Sequence, residues 1–159
     1  MVDVRLATPA DAGELARLRY EFRAGLNAAA EDMAAFVRRC APWMEERLAE
    51  DSGWRCWVTP GRGEIGGHAW LQLIEKIPNP GAEREIHGYV TNVYVRPEAR
   101  GAGAGEALVL AAMEFCRREG VDSVILWPTE RSRSLYERLG FGPPGDMLEA
   151  VLDGGRDLP

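Results

Sequence analysis

The sequence predicts a mixed α/β domain, a twisted sheet with helices on both faces. Three observations carry this. Short runs rich in β-branched and aromatic residues read as strands, above all "IHGYVTNVYV" at 86–95. Longer stretches repeat apolar residues at helical spacing. The centre of the chain runs strand, glycine turn, helix, strand, the order of a crossover connection. The expected order is βααβββαβαβ in a single domain over 1–159, a length that supports a real core.

The first strand is expected in "VDVRLA". The stretch "TPADAGELARLRYEF" then carries a helix start, with Thr8 as cap, Pro9 at the first helical position and Asp11 as a short capping box. Leu15, Leu18 and Phe22 follow at helical spacing. A second helix is expected over 31–50, with Met33, Val37, Cys40, Met44 and Leu48 in one stripe and Pro42 as a potential kink. "WRCWV" (54–58) and "HAWLQLI" (68–74) read as a hairpin around the turn "PGRGEIGG". A polar loop with two prolines leads to the central strand at 86–95. A helix over 104–119 turns Leu108, Ala111, Ala112 and Phe115 inward and ends at Gly120. "SVILW" reads as a buried strand, "TERSRSLYERLGF" as a short helix closed by Gly140, and 147–152 as a last strand.

Composition excludes several classes. Cys40, Cys56 and Cys116 are odd in number and form no C-x-x-C pair, so neither a disulfide framework nor a thiolate metal site is expected. With only His68 and His87, no metal is expected. The net charge of −6 and the lack of a Lys/Arg run beyond pairs such as Arg38-Arg39 and Arg117-Arg118 argue against nucleic acid. No apolar run approaches the roughly 20 residues of a membrane span. The opening stretch lacks basic and apolar signal regions, so a cytoplasmic protein is expected. Lys76, the only lysine, lies beside Glu75 in an expected loop, which leaves no candidate for Schiff-base chemistry.

Glycines at 101, 103 and 105 stand between Arg100 and a helix. The dinucleotide fingerprint G-x-G-x-x-G fails because Glu106 holds its third glycine position. The phosphate loop fails for want of a lysine, as does the kinase glycine loop. What remains is a turn of small residues opening a helix, with unpaired N–H groups, the helix dipole and Arg100 beside it. Such a turn suits a phosphate or pyrophosphate. A plain tight turn needing glycine for geometry explains the same residues.

The stretch "VYVRPEARGAGAGEALVLAAMEF" resembles motif A of the GNAT acyl-CoA-dependent N-acetyltransferases. Val95 and Pro97 fill the strand-end positions, and Arg100, Gly103 and Gly105 fill [QR]-x-x-G-x-[GA]. "SLYERLGF" (134–141) looks like motif B, L-Y-x-x-x-G-F, at a suitable distance. The opening strand and helix look like those of the family, so the resemblance covers nearly the whole chain. It implies the GNAT fold: a mixed, mostly antiparallel sheet of six to seven strands flanked by about four helices.

It also implies site roles. Arg100, Gly101, Ala102, Gly103, Ala104 and Gly105 would hold the pyrophosphate of acetyl-CoA as co-substrate. Val93, Tyr94 and Val95 would pair with pantetheine where the strand splays from its neighbour, and an N–H near Val93 would hold the oxyanion. Tyr136 would protonate the departing thiolate. Thr129, where relatives often have Asn, joins Ser132 and Arg133 as coenzyme contacts. Acetyl would pass directly to a primary amine of a small molecule or peptide in a ternary complex. A homodimer is compatible with the resemblance.

Many relatives carry a glutamate base on the strand before motif B, and "SVILW" has none. His87, Thr91, Asn92, Glu85 and Glu130 are the nearby candidates, the base is unassigned, and solvent could serve instead. The alternative is a non-catalytic acyl-CoA-binding module, which the missing glutamate and Thr129 favour and Tyr136 opposes.

Overall fold

A computed structural model describes residues 1–62, 64–81 and 85–152. The chain divides into two compact units, Met1–Leu126 and Trp127–Pro159.

The first unit contains five strands in sequence order across one sheet: β1 (Arg5–Leu6), β2 (Trp54–Pro60), β3 (Ile65–Glu75), β4 (Ile86–Val95) and β5 (Ser123–Ile125). β1 to β4 pair antiparallel, and β4 pairs with β5 in parallel. The parallel pair is joined through α3 (Ala104–Arg118), which is the crossover that the sequence order demands. Helices α1 (Ala12–Ala24) and α2 (Met33–Arg47) precede the β2–β3 hairpin.

Local chemistry explains the boundaries. Asp11 Oδ2 accepts the Thr8 N–H at 2.8 Å, so the expected capping box forms, ahead of a 3₁₀ turn at Pro9–Asp11 that leads into α1. α2 starts later than expected because Asp32 caps it, accepting the Ala35 N–H at 2.8 Å. Pro42 lies within α2 without ending it. The β2–β3 turn is tighter than "PGRGEIGG" suggested. The Gly61 N–H bonds Glu64 O, and β3 resumes at Ile65.

Two apolar clusters cover the two sheet faces. On one, Leu15, Ala16 and Leu18 of α1 and Met44 of α2 meet Cys56, Val58, Ile65 and Trp70. On the other, Leu108, Ala112 and Cys116 of α3 meet Trp57, Ala69, Leu71 and Val90. β3 is therefore buried from Ile65 through Leu71 and shows no alternation of exposure.

The second unit holds α4 (Arg133–Arg138), shorter than expected and closed by Gly140 at φ +93°. The strand expected at 147–152 does not form: no strand pairs with it, and Leu148 and Leu152 are exposed. Among the described residues the sheet thus has five strands rather than six or seven. Among the described residues no helix is long and apolar enough to cross a membrane.

Candidate active site

β4 is the spine of the site. Its parallel pairing with β5 ends at Tyr89↔Ile125. From Val90 to Val95 its β5-facing edge has no strand partner among the described residues, although on the β3 side Val90, Thr91, Tyr94 and Val95 are paired. An edge without a strand partner suits an extended ligand, save at Val95 O, which accepts from Arg100 Nε.

A bulge lies within this open stretch. His68 pairs with Tyr94 and Trp70 with Thr91, so Ala69 alone faces both Asn92 and Val93. Asn92 takes φ +51°, the only positive φ outside glycine among the described residues. The extra residue shifts the side-chain phase by one. Val90, Val93 and Val95 all face α3, while Tyr94 turns to the α1/α2 face. The bulge thus re-aims the expected pantetheine segment and takes the Asn92–Val93 backbone out of the ladder.

After β4, Pro97–Ala99 makes a 3₁₀ turn and the glycine turn follows. Gly101 and Gly103 take φ +85° and +82°, conformations that disfavour any side chain. No atom lies within 4 Å of where a Cβ would sit on either, so the turn presents an open surface. Gly103 is the N-cap of α3. The first intrahelical bond is Ala107 N–H to Gly103 O, 2.9 Å, so the N–H groups of Ala104, Gly105 and Glu106 precede the ladder. The positive end of α3 adds to them. Glycine geometry and an anion-ready surface therefore occur in the same turn.

Arg100 is tied back across this turn. Its Nε donates to Val95 O at 2.9 Å, and its guanidinium lies 6.0 Å from the Tyr94 ring centre. That links the strand end to the turn. The preceding Arg96 is nine-tenths buried and holds three carboxylates: Glu21 at 2.8 Å, Glu14 at 2.9 Å and Glu64 at 2.8 Å. It also donates to Ile65 O at 3.0 Å. The Glu21 hydrogen bond, more than any other contact, raises its pKa. Arg96 thereby fixes α1 and the β2–β3 turn to the start of the glycine turn. Sequence reasoning missed it, although Glu14 and Glu21 stand two helical turns apart and foretell a shared partner.

In the second unit, Tyr136 is buried with its ring edge on Phe141, centres 5.8 Å apart. Burial raises the phenol pKa, and Ser132 partly opposes this. The phenol is fully protonated at neutral pH, as an acid must be. Thr129 and Ser132 bond each other, hydroxyl to hydroxyl at 2.9 Å and Thr129 N–H to Ser132 Oγ at 3.0 Å. These hydroxyls already serve the entry to α4. Arg133 is exposed.

The candidate bases separate. His87 sits on the paired end of β4, its Nδ1 2.6 Å from Ser123 Oγ. That is five residues, or about 16 Å of strand, from the bulge. Glu85 is held by Lys76 and Asn79, and the Lys76 contact lowers its pKa. Asn92 accepts from Arg19. Thr91 is half-buried, and Glu130 is exposed at the start of the α4 turn. Among the described residues no group of His, Cys, Asp and Glu could hold a metal ion.

The profile of the acetyltransferase (GNAT) family matches residues 23–141. The chain belongs to this family. It is 40% identical over 79 residues to a glucosamine 6-phosphate N-acetyltransferase of Trypanosoma brucei brucei, covering 50% of this chain and 52% of that protein. It is 36% identical over 109 residues to a mycothiol acetyltransferase of Salinispora arenicola, covering 66% and 32% respectively. The chain thus spans about half the length of the first relative and a third of the second. A predicted acetyltransferase of Clostridium acetobutylicum, crystallised with acetyl-CoA, superposes with a TM-score of 0.75 over 95% of this chain and 96% of that one. At 20% identity this shows the shared fold. As a GNAT acetyltransferase fold, the chain has its glycine turn and open strand edge in one unit, next to each other in sequence.

Proposed function

We propose that this protein transfers acetyl from acetyl-CoA to a primary amine by direct attack in a ternary complex. The observation that carries the reading is the Gly101–Gly105 turn. Two left-handed glycines, open space above them and three N–H groups ahead of the helical ladder fit a pyrophosphate. The unpaired β4 edge from Val90 to Val95 fits the amide-bearing pantetheine arm that would continue from it.

Acetyl-CoA supplies a thioester, an acyl group with a good leaving thiolate. The chain's residues bind and orient it. The bulged backbone at Val93 offers an N–H to the carbonyl oxygen as negative charge develops there. The amine nitrogen forms the new C–N bond as the C–S bond breaks. Tyr136 gives its proton to the thiolate, and water takes the proton of the ammonium before attack. Cys40, Cys56 and Cys116 all have thiol pKa values raised by burial, so none suits an acyl-enzyme route.

A non-catalytic acyl-CoA-binding module is favoured by one observation: β5 (Ser123–Ile125), the strand before α4, carries no carboxylate to serve as base. Thiol release from acetyl-CoA with a panel of primary amines separates the readings. An enzyme turns over at least one amine, and Tyr136→Phe lowers kcat 10- to 100-fold with acetyl-CoA affinity unchanged. Turnover equal to wild type in Tyr136→Phe would remove Tyr136 as the acid.

A further inference from the structure

Arg96 and Arg19, both on the α1/α2 side of the sheet, differ in their partners. Arg96 is saturated by three carboxylates. Arg19, on α1, is half-buried. Among the described residues no carboxylate pairs with it, and its one hydrogen bond goes to a neutral amide: Nη1 donates to Asn92 Oδ1 at 3.0 Å. The guanidinium stands 5.9 Å from the Phe22 ring centre. Burial, followed by the charge of Arg23, lowers its pKa, which marks a cation whose surroundings do not neutralise it. A half-buried guanidinium without an anion is costly to the fold unless a ligand supplies one.

Its position gives that cost a purpose. Asn92 is the bulged, left-handed residue of β4, directly before Val93. Arg19 is thus anchored one residue from the backbone to which the acetyltransferase reading assigns the carbonyl oxygen. One Nη1 bond to Asn92 leaves Nη2 and Nε for a second, planar partner.

We propose that Arg19 is a specificity residue that binds an anionic group, a carboxylate or a phosphate, on the amine substrate. This rests on the acetyltransferase reading for the word substrate, though not for the anion site itself. Binding the anion there anchors the acceptor beside the bulge, with its amine free to reach the unpaired edge of β4.

Two readouts test it. In the first, the Asn92 side-chain amide resonance is followed while wild type and Arg19→Gln are titrated with inorganic phosphate and with acetate. The expected result is a saturable shift in wild type that disappears in Arg19→Gln, and the better of the two anions identifies the class. No shift in wild type, or the same shift in the variant, overturns the proposal. In the second, matched amines are compared: an amino acid with its amide, and an amino-sugar phosphate with the neutral amino sugar. The preferred anionic amine should exceed its neutral partner in kcat/KM by at least tenfold. Arg19→Gln should bring that ratio near one by lowering kcat/KM chiefly for the anionic amine, with acetyl-CoA affinity retained, and Arg19→Lys should restore part of the ratio. A residue that only braced the bulge would weaken both amines and acetyl-CoA alike, which would also overturn the proposal. Should acetyl-CoA fail to bind while phosphate still shifts Asn92, the acetyltransferase reading fails and the anion site stands.

Discussion

The two faces of the sheet are built on different principles. The α3 face is a plain apolar contact: Leu108, Ala112 and Cys116 of α3 lie against Trp57, Ala69, Leu71 and Val90. The α1/α2 face sets polar groups within its apolar cluster. Arg96 carries its three carboxylates there, Arg19 bonds Asn92, and His68 is fully buried. The indole N–H of Trp70 donates to His68 Nδ1 at 3.0 Å, so the ring is neutral with its proton on Nε2, which has no partner among the described residues. Burial pushes the His68 pKa down to about 3. The difference teaches that one face supplies stability while the other trades some of it for positioned charge beside the β4 bulge.

The largest expected effect comes from breaking the charged face. Arg96→Ala leaves Glu14, Glu21 and Glu64 without their shared partner. Loss of a buried cation from such a cluster costs about 3–5 kcal/mol, and urea unfolding would measure it. Because Glu64 stays well exposed, the lower end is expected. A loss below about 1 kcal/mol would mean that the cluster behaves as a solvated rim.

A smaller effect sharpens the same contrast through pH. His68 has a folded pKa near 3 and an unfolded one near 6.5, so the unfolded chain binds the extra proton between them. The stability is complete above about pH 6.5 and falls as pH drops towards 3. Between pH 7 and pH 5 the loss is about 2 kcal/mol from this group. Unfolding curves of wild type and His68→Leu at both pH values isolate it, since the carboxylates titrate in both. Equal pH dependence in the two proteins would place His68 in contact with water.

The smallest effect belongs to the glycine turn. Gly103→Ala meets no atom within 4 Å, so only the left-handed backbone resists it, at about 1 kcal/mol. A much larger loss would mean that the turn is a structural joint instead of an open ligand surface.

The same division governs what could be read from the sequence. Periodicity and turn residues suffice for α3, β4 and the glycine turn, because each is specified by neighbours in the chain. The bounds of β4, 86–95, are those observed. Asn92 is harder to read: a bulge depends on the register with β3, although an asparagine among β-branched residues is a clue to a left-handed position. Arg19 and Arg96 owe their roles to partners from 31 to 82 positions away and His68 to burial, and no pattern in the residues flanking each of them marks it. The expected strand at 147–152 was an apolar run without a partner, and a strand needs one.

The central claim is that the turn at Gly101–Gly105 binds coenzyme A. Calorimetric titration of the purified chain with acetyl-CoA, beside Gly103→Glu, tests it most directly. The account predicts micromolar or tighter binding by wild type, lost in the variant while its fold persists by circular dichroism. Equal binding by both proteins, or none by wild type, would contradict it.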